Sequence, residues 1–270
     1  MTMPIATEST ICEQLTVLNY CFTDIDSINL PETFVYVGLS KFSTDQIALI
    51  YRENEKNFLE FQNINGKNLT SICLIELREI IMYIDDFTWS PIRQEFLIMS
   101  DGQLLTYDHQ HNQITNVILV DQEKRKCRVA CNSTLIACVD THNLILYDLT
   151  TLTHLRQKRL DHVCEDIEFD DQYFLSTHNG KLEILDRKLR SIRRFPLGGT
   201  SVCQYNSNLW LVADSFDHRL LWQSLEKRLL TVPNIHQPKS IVVLSNTGRI
   251  LLLCTEPNRL LIFDPIQSDG

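Results

Sequence analysis

Apolar and polar residues alternate in blocks along this chain, and one arrangement of blocks recurs. An apolar run is followed by a short polar turn and by a second apolar run that ends in an aromatic residue and often in Asp. Six copies occupy residues 46–62, 95–108, 134–148, 173–186, 209–223 and 249–264. The runs are short, are rich in β-branched and aromatic residues, and flank turn residues such as Asp101-Gly102. Each copy therefore predicts a β-hairpin.

The spacing of the copies is typical of a propeller blade. Successive copies lie 46, 40, 38, 37 and 41 residues apart, measured between their penultimate residues Phe61, Tyr107, Tyr147, Leu185, Trp222 and Phe263. Two further short segments between hairpins make four strands per blade. The sequence predicts an all-β fold, in which residues 1–270 form a single six-bladed β-propeller of four-stranded antiparallel blades. The alternative is seven blades, with residues 11–40 forming most of an extra one.

The sixth copy ends so close to the end of the sequence that its blade lacks an outer strand. The amino-terminal segment can supply that strand, because residues 14–22 (QLTVLNYCF) are apolar and have no hairpin partner of their own. We therefore expect residues 11–22 to be the closing outer strand of the last blade. Closure of this kind removes an exposed sheet edge that would otherwise invite aggregation.

Two families of propeller resemble these copies. Residues 212–219 (VADSFDHR) are similar to the turn and flanking strands of NHL repeats, and residues 139–143 are a weaker match. The pairs Tyr107-Asp108, Tyr147-Asp148 and Phe263-Asp264 resemble the end of the third strand in WD40 repeats, although every blade lacks the Gly-His dipeptide of that family. The NHL resemblance implies six blades, and both resemblances imply a propeller fold.

Composition narrows the classes of function. The chain is 44% hydrophobic, has a formal net charge of -9, and contains nine cysteines. No apolar stretch is long enough for a membrane span and no secretory signal is evident, so we expect a cytoplasmic or nuclear monomer with reduced thiols. The negative charge disfavours nucleic acid and anionic membranes as partners.

Three sets of residues are candidates for a metal or catalytic site. His142, His178 and His218 fall in turns between second and third strands, but their turns belong to different blades. Cys127, Cys164 and Cys203 occupy equivalent positions near inner strands, where small thiols commonly fill core space. Asp166, Glu168 and Asn132 are the only plausible oxygen ligands on inner strands. Since no Ser/His/Asp arrangement or phosphate loop accompanies them, we expect no enzyme, no metal and no cofactor.

Basic runs raise the alternative of RNA binding. Lys124, Arg125, Lys126 and Arg128 form one such run near the start of an inner strand. Further basic residues at 156–159 and 187–194 fall on outer strands, where charge protects a sheet edge from pairing. Acidic residues dominate the turns around the first run, which is the wrong sign for phosphate contacts.

The leading hypothesis is a non-catalytic interaction module and scaffold that binds another protein through its turn-lined face. Phe216 stands in a polar turn where no core contact explains it, and an aromatic anchor with a polar rim concentrates binding energy. The predicted binding residues are Phe216, Asp214, Asp217, His218, Arg219, His142 and His178. The acidic surroundings predict a partner with a basic patch. An RNA-binding NHL-like propeller is the second hypothesis, and a cation-dependent six-bladed hydrolase is the third.

Overall fold

The computed structural model describes 24 β-strands and no helix among the residues that it covers. Those residues are 25–65, 68–77, 83–121, 127–140, 142–161, 163–170, 172–178, 180–206, 209–225, 228–244 and 247–264. The strands form six sheets of four antiparallel strands each. The predicted six-bladed propeller is therefore confirmed. No helix in the described part is long and apolar enough to cross a membrane.

The first strand, β1 (Ile25–Asn29), belongs to the last blade, and the first three blades follow it in chain order. Blade 1 contains β2 (Val35–Lys41), β3 (Gln46–Glu53), β4 (Lys56–Asn65) and β5 (Asn68–Glu76). Blade 2 contains β6 (Ile84–Ser90), β7 (Glu95–Ser100), β8 (Gln103–Asp108) and β9 (Gln113–Leu119). Blade 3 contains β10 (Arg128–Cys131), β11 (Leu135–Val139), β12 (Asn143–Asp148) and β13 (His154–Arg159).

The remaining three blades complete the ring. Blade 4 contains β14 (Asp166–Phe169), β15 (Tyr173–His178), β16 (Lys181–Asp186) and β17 (Ser191–Phe195). Blade 5 contains β18 (Ser201–Asn206), β19 (Leu209–Asp214), β20 (Arg219–Ser224) and β21 (Arg228–Pro233). Blade 6 contains β22 (Pro238–Leu244), β23 (Arg249–Thr255), β24 (Asn258–Phe263) and β1. The first strand of each blade contacts the first strands of its neighbours, so these six strands are the inner wall of the ring.

Closure uses the amino-terminal side of the chain. Strand β1 pairs antiparallel with β24, with Ile25 opposite Phe263 and Asn29 opposite Arg259. The backbone N–H of Leu30 extends the pairing by donating to the Asn258 carbonyl at 2.9 Å. Residues 11–22, which the sequence predicts for this position, lie outside the described residues, and the strand that fills the position is residues 25–29. The edge that blade 6 would expose is thereby paired.

The core lies between blades. Six clusters of buried apolar side chains each join two neighbouring blades, one cluster at every interface of the ring. Second and third strands supply most of these side chains and are buried on both faces; in β7, for example, Phe96, Leu97, Ile98 and Met99 are all fully buried. This burial explains why the hairpins appear in the sequence as continuous apolar runs rather than as alternating ones.

The Asp that closes several sequence copies has a local structural role. Asp148 Oδ1 accepts the backbone N–H groups of Thr150 and Thr151 at 3.0 and 2.7 Å. Asp108 and Asp186 cap the equivalent turns of blades 2 and 4 in the same way. A short carboxylate side chain that binds backbone two or three residues ahead stabilises a tight turn.

Outer strands carry a recurring irregularity. In blades 1 to 5 the register between third and fourth strands shifts near the start of the fourth strand, which leaves one residue without a partner. These unpaired positions are residues 72, 115, 155, 192 and 229. A bulge twists an edge strand and makes it a poor template for a further strand. The sheet edges on the outside of the ring are protected in this way.

Candidate interaction surface

The ring has two faces, and the antiparallel topology decides which turns each face carries. Turns between second and third strands share one face with the connections that lead from each outer strand to the next blade. We call this the hairpin face. The turn of blade 2 there is formed by Asp101 and Gly102, which have φ values of 49° and 74°. Positive φ at both central residues is the tight hairpin geometry that an Asp-Gly pair favours.

The turn of blade 5 is built around Asp214. Its Oδ1 accepts the backbone N–H groups of Phe216 and Asp217 at 3.1 and 3.2 Å, and its Oδ2 accepts from Arg219 Nε at 3.0 Å. The Arg219 guanidinium also forms an ion pair with Asp217. Asp214 is 1% exposed, so the carboxylate at the centre of this network is shielded from water. Charge-assisted hydrogen bonds of this kind fix the backbone of the turn.

The same turn projects an aromatic ring into solvent. Phe216 is 61% exposed although its backbone is held by Asp214. The turn is also tied to the connection that leads into blade 6, because the Ile235 N–H donates to the His218 carbonyl at 2.8 Å and the His218 and His236 rings lie 5.4 Å apart. An exposed ring on a rigid turn loses little conformational entropy on binding.

The two other histidines predicted for this face lie in the turns of neighbouring blades. In blade 3, the backbone N–H of His142 donates to Asp140 Oδ1 at 2.8 Å. In blade 4, His178 ends β15 and is only 4% exposed. His178 and Asp214 therefore offer almost no surface in the free protein, whereas Phe216 and Asp217 are exposed.

The inner wall surrounds a central channel with a cavity of about 890 Å³. Its charged lining includes Asp86, Asp166, Glu168 and Arg128, from the first strands of blades 2, 4 and 3. The sequence predicts inner-strand positions for Asp166 and Glu168, and the structure adds Asp86 to the channel lining. Asp86 reaches the channel because β6 has a bulge between Ile84 and Asp86, which changes the direction of the side chains that follow.

Two of these carboxylates join neighbouring blades. Asp86 Oδ2 accepts the Val129 N–H at 2.9 Å, and Asp166 Oδ2 accepts the Val202 N–H at 2.8 Å. Ser40 and Ser240 make the corresponding contacts of blades 1 and 6, where their hydroxyl oxygens accept the N–H groups of Trp89 and Leu39. Inner strands are thus linked across blade boundaries by side-chain acceptors.

Arg128 crosses the same region. Its Nη1 donates to the Asp85 carbonyl at 2.8 Å and its Nε to the Glu165 carbonyl. Burial raises the pKa of both Asp86 and Asp166, and the positive charge of Arg128 reduces that rise. The guanidinium is therefore occupied by the channel wall. Lys124, Arg125 and Lys126, the other predicted RNA-binding residues, lie outside the described residues.

Burial dominates the titration of the channel carboxylates. It raises the pKa of Asp166 to about 7, with a further rise from Asp86. It raises the pKa of Glu168 to about 8, with a further rise from Asp166. A buried carboxylate releases its proton at a higher pH than an exposed one, because the charged form loses its hydration.

The three aligned cysteines do not meet. Cys127 packs in the interface between blades 2 and 3, Cys164 in that between blades 3 and 4, and Cys203 beside the interface of blades 5 and 6. Burial raises the pKa of Cys127 to about 12. No group of three or more His, Cys, Asp or Glu among the described residues is arranged to hold a metal ion. Asn132 lies in a turn, where its Oδ1 accepts the N–H groups of Thr134 and Leu135.

Comparison with known proteins identifies the type of fold. No protein-family model matches the sequence, and no curated protein matches it in sequence. Among solved structures, the chain is similar to the WD40 domain of Pan2 from Neurospora crassa, with a TM-score of 0.62 and 7% identity over 90% of this chain and 95% of that one. The resemblance to NHL repeats stays a prediction. The chain has a six-bladed, WD40-like β-propeller fold.

Proposed function

We propose that this protein is a non-catalytic interaction module that binds another protein through its hairpin face, with Phe216 as the anchor. Propellers of the WD40-like type are commonly protein-interaction modules. The observation that carries the proposal is the exposed Phe216 ring on a turn whose backbone is fixed by Asp214. Aromatic side chains at the centre of an interface, ringed by polar groups, supply much of the binding energy.

The partner is proposed to present a basic patch around an apolar pocket. The chain has a formal net charge of -9, and Asp217 lies exposed beside Phe216. Complementary charge speeds association more than it tightens the complex. Association is therefore expected to slow as salt concentration rises, because exposed charges are screened.

We propose that the channel has a structural role rather than a catalytic one. Asp86 and Asp166 each accept a backbone N–H of the next blade, so both are engaged in holding inner strands together. Arg128 is engaged with two backbone carbonyls. Groups held in this way are part of the frame of the ring, and we propose that binding takes place on the hairpin face.

The test compares partner capture by two variants with equally exposed apolar side chains. Phe216→Ala removes the proposed anchor, and Ile92→Ala removes a side chain that is also 61% exposed but lies on the opposite face. Affinity purification with mass spectrometry is run with and without nuclease. We expect nuclease-resistant partners that Phe216→Ala loses and Ile92→Ala retains. A Phe216→Ala protein that folds normally and keeps every partner would contradict the choice of face.

The nuclease arm separates the protein-binding proposal from RNA binding. If the captured partners disappear after nuclease treatment, RNA is the bound species. Neutralising Lys124, Arg125 and Lys126 should then abolish RNA capture, whereas Phe216→Ala should not.

A further inference from the structure

The outer strands of blades 3 and 4 carry a surface unlike the rest of the outer circumference. We call it the basic rim: strands β13 and β17 with the turn at residues 186–190. It contains Arg156, Lys158, Arg159, Arg187, Lys188, Arg190, Arg193 and Arg194. The outer strands of blades 1 and 2, by contrast, contain no Lys or Arg. Because the whole chain has a formal net charge of -9, the remaining surface is more acidic than that value implies.

Arginines of the rim connect blades 3 and 4. Arg156 on blade 3 donates from Nη1 to the Arg187 carbonyl of blade 4 at 3.4 Å. Arg194 on blade 4 forms ion pairs with Asp161, which follows β13, and with Glu183, at 3.1 and 2.9 Å. The basic side chains of the two outer strands therefore form one continuous surface across the boundary between blades 3 and 4.

Most rim cations have no carboxylate partner. Two rim arginines are satisfied within the chain: Arg194 as above, and Arg190 by Asp186 at 2.6 Å. Among the described residues no ion pair involves the other six, which are Arg156, Lys158, Arg159, Arg187, Lys188 and Arg193. Crowded cations of one sign repel one another, and a bound anion relieves that repulsion.

Apolar side chains accompany the charges. Leu155 and Ile192 are each about half exposed and occupy the same unpaired bulge position in neighbouring blades. The bulges disfavour the addition of a strand to either edge. A partner would therefore be bound through its side chains, with apolar groups on Leu155 and Ile192 and anions on the surrounding arginines.

We propose that the basic rim binds an acidic protein segment that also carries apolar side chains. Arg190 and Arg194 already hold carboxylates of this chain, which shows the chemistry that the rim arginines accommodate. Guanidinium groups match carboxylates in geometry as well as in charge. A short segment experiences only the local positive charge, because interactions beyond about 10 Å are screened.

Nucleic acid fits the rim less well. A polyanion longer than the rim would meet the more acidic surface around it. Among the described rim residues, His154 is the one exposed aromatic side chain, and Phe195 is half-buried with Arg193 over its ring, so successive bases would find few rings on which to stack. RNA and anionic membranes are therefore treated as alternative occupants that the experiment distinguishes.

The experiment measures binding of a short fluorescein-labelled peptide of Glu, Leu and Ser by fluorescence anisotropy. The test variant is Arg156→Gln with Arg187→Gln, and the control is Arg52→Gln with Lys56→Gln on blade 1, which changes the net charge equally. We expect the test variant to bind about fivefold more weakly and the control to match the parent. Leu155→Ser with Ile192→Ser should also weaken binding about fivefold.

Three results would overturn the proposal. The first is an equal loss of binding in the rim and control variants. The second is unchanged binding of a peptide with Gln in place of Glu. The third is a single-stranded RNA oligonucleotide, or a vesicle with anionic lipid, that binds the rim more tightly than the peptide and displaces it; the occupant would then be nucleic acid or membrane.

Discussion

Blade 4 contains two glutamates in different environments, one at each side of the sheet. Glu168 lies on the inner strand and lines the channel, where burial and the neighbouring Asp166 raise its pKa to about 8. Glu183 lies on the third strand, and burial alone would raise its pKa as well. Hydrogen bonds from Ser191 and Arg194 outweigh that effect, so the pKa of Glu183 is lowered. Burial destabilises the charged form of a carboxylate, and the hydrogen-bond donors beside it determine whether that loss is offset.

The comparison also separates two ways in which this ring uses charge. Channel carboxylates such as Asp166 join blades by accepting backbone N–H groups. Burial raises the pKa of Asp166 to about 7, so folding favours its protonated form. At the outer side, Arg194 forms an ion pair with Glu183 of its own blade and another with Asp161 beside blade 3, and both pairs need every group ionised. The two sides of the same blade should therefore respond to pH in opposite directions.

The largest effect is expected from removing the cation that stabilises Glu183. Arg194→Ala removes the guanidinium from a carboxylate that is 2% exposed, so the free energy of unfolding should fall by about 3 kcal/mol. Denaturant unfolding at neutral pH measures it. Arg159→Ala is the matched control, since it removes a rim arginine that has no described ion pair, and should change stability by less than about 0.5 kcal/mol. Equal losses in the two variants would contradict the assigned role of Arg194.

A smaller effect of opposite sign is expected at the inner side of the blade. The folded-state pKa of Glu168, about 8, lies above its ordinary value of 4.5. The folded ring therefore binds the proton more tightly than the unfolded chain, and stability falls as pH rises from about 4 to 8. Glu168→Gln should stabilise the protein by about 2 kcal/mol at pH 8.5, which is less than the full pKa change implies because Glu168 is only half-buried and solvent screens its charge. The gain should disappear near pH 4. Thermal unfolding across this range measures it. A gain independent of pH would mean that packing is the cause.

The smallest effect concerns Glu183 in acid. Its pKa is lowered in the folded state, so the stability it contributes is present above its ordinary value of 4.5 and is lost as pH falls through the folded-state pKa. Glu183→Gln should cost about 1 kcal/mol at pH 7, and the difference from the parent should shrink below pH 4. Urea unfolding at both pH values tests this. A constant difference would show that the charge of Glu183 contributes nothing.

The fold was predictable because its signals are local and repeat. Hairpin turns, apolar runs buried on both faces, and capping residues such as Asp148 all lie within a few positions of one another, and each recurs around the ring. The closing strand was harder to locate. Strand β1 is an outer strand with the sequence IDSIN, whose apolar residues are sparse, whereas residues 11–22 have the stronger hydrophobic pattern. Hydrophobicity marks inner positions of a blade better than its edge.

The environments of the charged residues could not be predicted in the same way. Asp86 reaches the channel because of a bulge in β6, and Glu183 meets Arg194 because of the register between β16 and β17. Both placements depend on a one-residue shift in strand register, which no local sequence pattern predicts. The exposure of Phe216 was predictable, because a large apolar residue in a polar turn is visible in the sequence itself.

The pairing of Ile25 with Phe263 has a practical consequence for how the protein can be displayed. These two residues lie side by side at the end of the sixth blade that faces away from the hairpin face. A ring immobilised through a group attached just before residue 25 or just after residue 263 would present Phe216 outward, toward solution. Circular permutation that moves the chain termini to another blade would move the attachment point to a different position around the ring without altering the sheets.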